Sequence, residues 1–174
     1  IQMQKLGIID GIGPEATMNY YSAIISGIRS GSGLIKSCLV SLSNPLICIT
    51  CFVCLMLKDD KVAGYVGAAA NNLLKAGCDS GLMCGNTPPH LLFDQIQART
   101  DLPLLSIVET AVAAAQQLHL QRLALLGTKF TMQNDFFIKP FREAGIEVCR
   151  PSENNQSIIH QKINKNKKRK QSRQ

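Results

Sequence analysis

The chain has 174 residues, 45% hydrophobic and 18% charged, enough for one full domain or one and a half lobes of a larger fold, which excludes a peptide or a disordered protein. Only 5% is aromatic and tryptophan is absent, which argues against base-stacking or sugar-stacking surfaces and requires an aliphatic core. The net charge of +7 is supplied by Lys162, Lys165, Lys167, Lys168, Arg169, Lys170 and Arg173; residues 1–160 hold 12 bases against 12 acids, so a neutral body carries a basic tail.

Lys5 to Ile9 is a short apolar run that stops at Asp10-Gly11-Ile12-Gly13, and Pro14-Glu15 then opens a segment with apolar residues at helical spacing through Ile28. That predicts a strand, a glycine turn and a helix. Proline suits a first helical position, where its missing N–H would be unpaired anyway, and Glu15 complements the helix dipole. Ser37 to Leu42 reads as a strand. The run from Pro45 to Leu57 is nearly uncharged yet shorter than the roughly 20 residues that span a bilayer, so it is expected to be either fully buried or poorly packed.

Lys61 to Ala76 reads as an alanine-rich helix closed by Gly77, Ser80 to Cys84 as a strand, Pro89 to Arg99 as a helix and Leu102 to Ile107 as a fourth strand. Val108 to Leu118 is helical, Arg122 to Leu126 a strand, Thr131 to Ala144 a helix ended by Gly145, and Ile146 to Cys149 another strand. Strands alternating with helices of this length imply parallel pairing through right-handed crossovers, so the class is α/β. From Asn164 onward there is neither periodicity nor an apolar face, and residues 164–174 read as disordered. No charged segment followed by an apolar stretch opens the chain, and its seven cysteines are odd in number and irregularly spaced. The expectation is a soluble cytoplasmic protein with reduced thiols.

Four stretches carry chemistry. Gly11-Ile12-Gly13-Pro14-Glu15-Ala16 matches a loose dinucleotide fingerprint, but the second strand ends in Ser41, Leu42, Ser43 and Asn44 with no acid to hold a ribose, which favours a generic anion-binding turn. Cys48, Cys51 and Cys54 resemble part of an iron–sulfur ligand set, yet no fourth cysteine follows, so small buried hydrophobes are favoured and no metal is expected. Cys84-Gly85-Asn86-Thr87 falls at the end of the third strand, the edge at which open α/β sheets place ligands, and His90 follows it. Gly127 to Met132 ends the fifth strand in the same way, with Thr131 expected as a helix N-cap. His119 and His160 lack acidic or cysteine companions and read as surface residues.

In this order, GIIDGIGPEAT at 7–17, MCGNTPPHLLFDQI at 83–96, LPLLSIVETA at 102–111 and LALLGTKFTMQNDFF at 123–137 resemble the aspartate/glutamate racemase family over about Lys5 to Ile163. The resemblance implies two similar parallel-sheet α/β lobes, here 1–115 and a partial 116–163, with a small amino acid, aspartate or glutamate, held between them. It implies proton transfer at the α-carbon by two opposed groups, usually cysteines, without pyridoxal phosphate or any other cofactor, and it is compatible with a homodimer and with no membrane association. Cys84 is the implied acid/base residue, and Gly13, Asn86, Thr87, Thr128 and Thr131 are the implied substrate-binding residues.

Two departures bear on activity. The family's first acid/base residue stands directly before the Asn-Thr pair, where this chain has Gly85, and alternate residues on a strand face opposite sides. The family's second cysteine lies in a Gly-Cys-Thr stretch, and no such triplet occurs here. The expected second lobe is therefore truncated and racemisation impaired. The abrupt tail and the apolar 45–57 run read as out-of-frame translation, which inspection of the encoding locus in its other frames checks. The competing readings are a non-catalytic remnant that binds a small dicarboxylate and a nucleic-acid binder acting through the tail.

Overall fold

The computed structural model describes residues 5–9, 14–29, 39–42, 59–84 and 88–171. The chain divides into two compact units, Ile1–Ile107 and Val108–Gln174. In the first unit, β1 (Leu6–Ile9), β2 (Leu39–Leu42), β3 (Ser80–Met83) and β4 (Leu104–Leu105) form a sheet in the order β2-β1-β3-β4. Every neighbouring pair is parallel, with Ile8 opposite Ser41 on one side and Leu82 on the other. Parallel neighbours require crossovers, and helices α1 (Pro14–Arg29) and α2 (Asp59–Lys75) provide them. The chain then makes two short helices, α3 (Pro88–Leu91) and α4 (Phe93–Gln97), where a single helix over 89–99 was expected; the break falls at Leu92, whose φ of −104° and ψ of 18° leave the helical region.

Both sheet faces are covered, which is why β1 is apolar at every position. On one face Ile9 and Met83 pack with Val66, Leu73 and Ile96 in the larger core. On the other, Leu6, Ile8, Leu82 and Cys84 pack with Tyr20 and Ile24 of α1. Gly7 faces α2 so closely that an added Cβ would stand 2.7 Å from both Leu73 δ-methyls. Gly7→Ala is accordingly expected to overpack a fully buried contact and to cost about 1–3 kcal/mol in a denaturant titration.

The fourth strand is shorter than the expected 102–107. Pro103 has no N–H to give the ladder, and the neighbouring amides find side chains instead: Leu102 N–H donates to Thr100 Oγ1 (3.2 Å) and Leu104 N–H to Gln97 Oε1 (2.9 Å). Only Leu104 and Leu105 pair with β3.

In the second unit, β5 (Arg122–Ala124) and β6 (Glu147–Cys149) form a two-stranded parallel sheet. Its core is small: Ala115, Phe141 and Ile146 are buried, with Ala111, Val112, Leu123 and Val148 packed against them. Helix α5 (Ile107–Gln117) gives this core Ala111, Val112 and Ala115, which places the unit boundary at 107/108, ahead of the expected 115/116. The helix expected over 131–144 is two helices, α6 (Lys129–Gln133) and α7 (Asp135–Glu143). At Asn134 the backbone turns extended, at φ −91° and ψ 143°, and its main-chain and side-chain amides both donate to the Phe130 carbonyl, at 3.1 and 2.8 Å, which closes α6. Helix α8 (Glu153–Gln171) extends through positions expected to be disordered; it starts after Pro151-Ser152 and is rich in Lys, Arg and Gln, which carry good helical propensity.

Three helices close in the same way. After α2, Gly77 (φ 78°) donates to the Leu74 carbonyl and Cys78 to that of Leu73; after α7, Gly145 (φ 76°) and Ile146 repeat the pair on Arg142 and Phe141. After α5 the left-handed position is His119 (φ 53°), with Leu120 N–H returning to the Ala115 carbonyl. An L-residue is strained there, and glycine relieves the strain while adding freedom to the unfolded chain. His119→Gly is expected to raise stability by about 0.5–1 kcal/mol, read as an upward shift of the thermal midpoint.

Candidate active site

The strand that matters most is β3. Its ladder continues one residue past Met83, because Cys84 N–H donates to the Ile9 carbonyl at 3.0 Å. Pleat alternation then turns the two side chains apart: Met83 joins the α2 face and Cys84 the α1 face. Cys84 is 0% exposed and forms no disulfide. Its thiol is close enough to Tyr20 to be felt electrostatically. Burial holds the Tyr20 phenol above its ordinary value, and Cys84 adds to the shift because ionising both groups would set two negative charges side by side. Sequence reading did not single out Tyr20; the signal available was its place four residues before Ile24 on the inward stripe of α1.

His90, in α3, lies on the other side of β3. It is 5% exposed, and its ring stacks on Phe93 with centroids 6.4 Å apart and planes 9° from parallel. Among the described residues, neither ring nitrogen finds a hydrogen bond of good geometry. Burial therefore pulls its pKa down to about 4, weakly opposed by the Met83 backbone. At neutral pH His90 is an uncharged imidazole in an apolar setting.

In the second unit the strand-end threonines come together. Thr128, not Thr131, is the N-cap of α6: its Oγ1 accepts from Thr131 N–H at 3.3 Å and lies 3.0 Å from Thr131 Oγ1. The cap sits three residues earlier than expected because Thr128 is the last extended residue, at φ −65° and ψ 159°. A Cβ on Gly127 would meet Thr131 Cβ at 3.1 Å, so the small residue lets the turn close over the buried threonine. Lys129 N–H donates to His160 Nδ1 of α8 at 3.2 Å, giving a role to a histidine that the sequence left on the surface.

Of the expected site residues, the structure thus brings Thr128 and Thr131 into contact, and Cys84 belongs to the other unit. Gly13, Asn86 and Thr87 lie outside the described residues, as do Cys48, Cys51, Cys54 and the 45–57 run. Among the described residues, no three His, Cys, Asp or Glu side chains converge to hold a metal, and no helix is long and apolar enough to cross a membrane.

A family model for Asp/Glu/hydantoin racemases matches residues 9–174. The chain belongs to that family. Solved structures agree. An aspartate racemase homologue from Pyrococcus horikoshii shares 28% identity at a TM-score of 0.78, the match covering 91% of this chain and 69% of that one. A candidate Asp/Glu racemase from Yersinia pestis shares 26% identity at a TM-score of 0.83, covering 94% of this chain and 71% of that one. The likeness in fold extends to the Picrophilus torridus aspartate racemase, at 19% identity, a TM-score of 0.73 and coverage of 92% and 67%. The parallel α/β architecture expected from the alternation of strands and helices is therefore that of the Asp/Glu/hydantoin racemases.

Proposed function

We propose that this racemase-family chain acts on the α-carbon of a small acidic amino acid, aspartate or glutamate, by proton transfer without pyridoxal phosphate. Cys84 is the acid/base group of the first unit, and Gly13, Asn86, Thr87, Thr128 and Thr131 hold the substrate carboxylates. The observation that supports this reading is a thiol one residue beyond the carboxyl end of a central parallel strand, in a chain of the racemase family. In the proposed step the Cys84 thiolate takes the α-proton, becoming a thiol, and the electron pair left on carbon delocalises into the α-carboxylate. In heavy water the S–H exchanges to S–D, and the deuteron returns to the face from which the proton left.

Inversion needs a second donor on the opposite face, and the sequence holds no Gly-Cys-Thr triplet to provide one. The reading is therefore isotope exchange with little racemisation. The test is α-deuterium incorporation and enantiomer ratio measured together on aspartate and glutamate, with a Cys84→Ser variant. The complete burial of Cys84 against Leu82 and Ile24 favours a second reading, a dicarboxylate-binding remnant without turnover. Calorimetric binding of aspartate without any exchange would select it. A reducing cytoplasm suits either reading, since both keep the thiol reduced.

A further inference from the structure

The basic end of α8 has no part in the proposed chemistry, and its charge is too dense to be an ordinary solvated face. The helix is anchored at its start: Gln156 is buried with its amide on the Pro151 carbonyl (2.8 Å), and His160 accepts from Lys129 N–H. Past that anchor, Lys162, Lys165, Lys167, Lys168, Arg169 and Lys170 fall within nine positions, and no acidic residue follows Glu153. At about 1.5 Å of rise per residue these six cations occupy about 12 Å of helix axis. That is one positive charge per about 2 Å, close to the one negative charge per about 1.7 Å along a nucleic-acid duplex.

We propose that this segment of α8 binds the phosphate backbone of double-stranded nucleic acid without sequence preference. The same residues argue against two neighbouring chemistries. An interfacial membrane helix needs an apolar face, and between His160 and Gln174 Ile163 is the single apolar side chain. Single-strand binders stack bases on aromatic rings, and no Phe, Tyr or Trp follows Phe141. The remaining side chains are Asn, Gln and Ser, whose amides and hydroxyls suit phosphate and sugar contacts. The first half of the helix is held by the second unit, so the charge is presented from a fixed base.

The test is fluorescence anisotropy of the 174-residue protein with labelled 20-base-pair duplexes of two unrelated sequences, titrated from 50 to 200 mM salt. With four to five phosphates engaged, affinity should fall about 150- to 500-fold over that range, equally for both sequences. A variant with Lys165, Lys167, Lys168, Arg169 and Lys170 each changed to Gln should bind at least about 30-fold more weakly at 50 mM salt. Far-UV circular dichroism and the melting midpoint would show whether the variant stays folded, and glutamine preserves helical propensity. Amino-acid isotope exchange should be unchanged in that variant, so failure here is separable from failure of the racemase reading. Unaltered duplex binding by the glutamine variant overturns the proposal. So does salt-independent binding, or tighter binding to vesicles of three parts phosphatidylcholine to one part phosphatidylserine than to duplex.

Discussion

Cys84→Ser is expected to lower α-deuterium exchange on aspartate and glutamate by about 10²- to 10⁴-fold, the range typical for removal of a positioned general acid or base. Serine is nearly isosteric with cysteine, so the Leu6, Ile8 and Leu82 layer should remain packed, with a melting midpoint lowered only by the cost of burying a hydroxyl, about 1–3 kcal/mol, and circular dichroism checks that the fold is kept. Loss of exchange with an intact fold then reports on chemistry. In the unaltered chain one enantiomer should wash deuterium into the α-position while the other does not, and their ratio should barely move, because one thiol serves one face of the carbon. Robust conversion of one enantiomer into the other by these 174 residues would show that a second acid/base group faces Cys84. Exchange that survives the serine substitution would remove Cys84 from the mechanism altogether.

Acidification from pH 7 to pH 4 is expected to cost about 3 kcal/mol of folding stability through His90 alone. Its imidazole titrates near 6.5 in the unfolded chain and at about 4 when folded, so between those values the unfolded state binds the extra proton. Stability is therefore fully present above pH 6.5, falls by about 2 kcal/mol by pH 5, and levels off below pH 4. The physical cause is burial of the ring against Phe93, which penalises a charged imidazolium more than the Met83 backbone favours it. His90→Leu should flatten this slope in urea titrations at pH 7, 5 and 4. It should also gain about 1 kcal/mol at pH 7, since two unpaired buried nitrogens disappear. An equal slope in the leucine variant would place the acid-sensitive group elsewhere.

Local chemistry was legible in the sequence wherever a residue's covalent structure dictates its place. Pro14 opens α1 and Gly77 and Gly145 terminate α2 and α7 because missing or permissive backbone geometry leaves few alternatives. The alternation that puts Leu6, Ile8, Leu82 and Cys84 on one face follows from the period of two. What escaped notice depends on partners distant in the chain. Leu102 reads as strand until Thr100 intercepts its amide, and the helical stripe over 131–144 breaks where the Asn134 backbone turns extended. Tyr20 and His160 gain roles only by meeting Cys84 and Lys129, which lie 64 and 31 positions away.

The slender β5–β6 pair has a consequence for how the molecule breathes. A ribbon of two short parallel strands on three buried side chains has little cooperativity of its own, whereas β1 is flanked on both sides and sealed above and below. Thermal fluctuations therefore peel the second unit open at lower free energy than the first. The amide protons of Leu123 and Val148 are the early leavers, and those of Gly7 and Ile8 are the last to be surrendered.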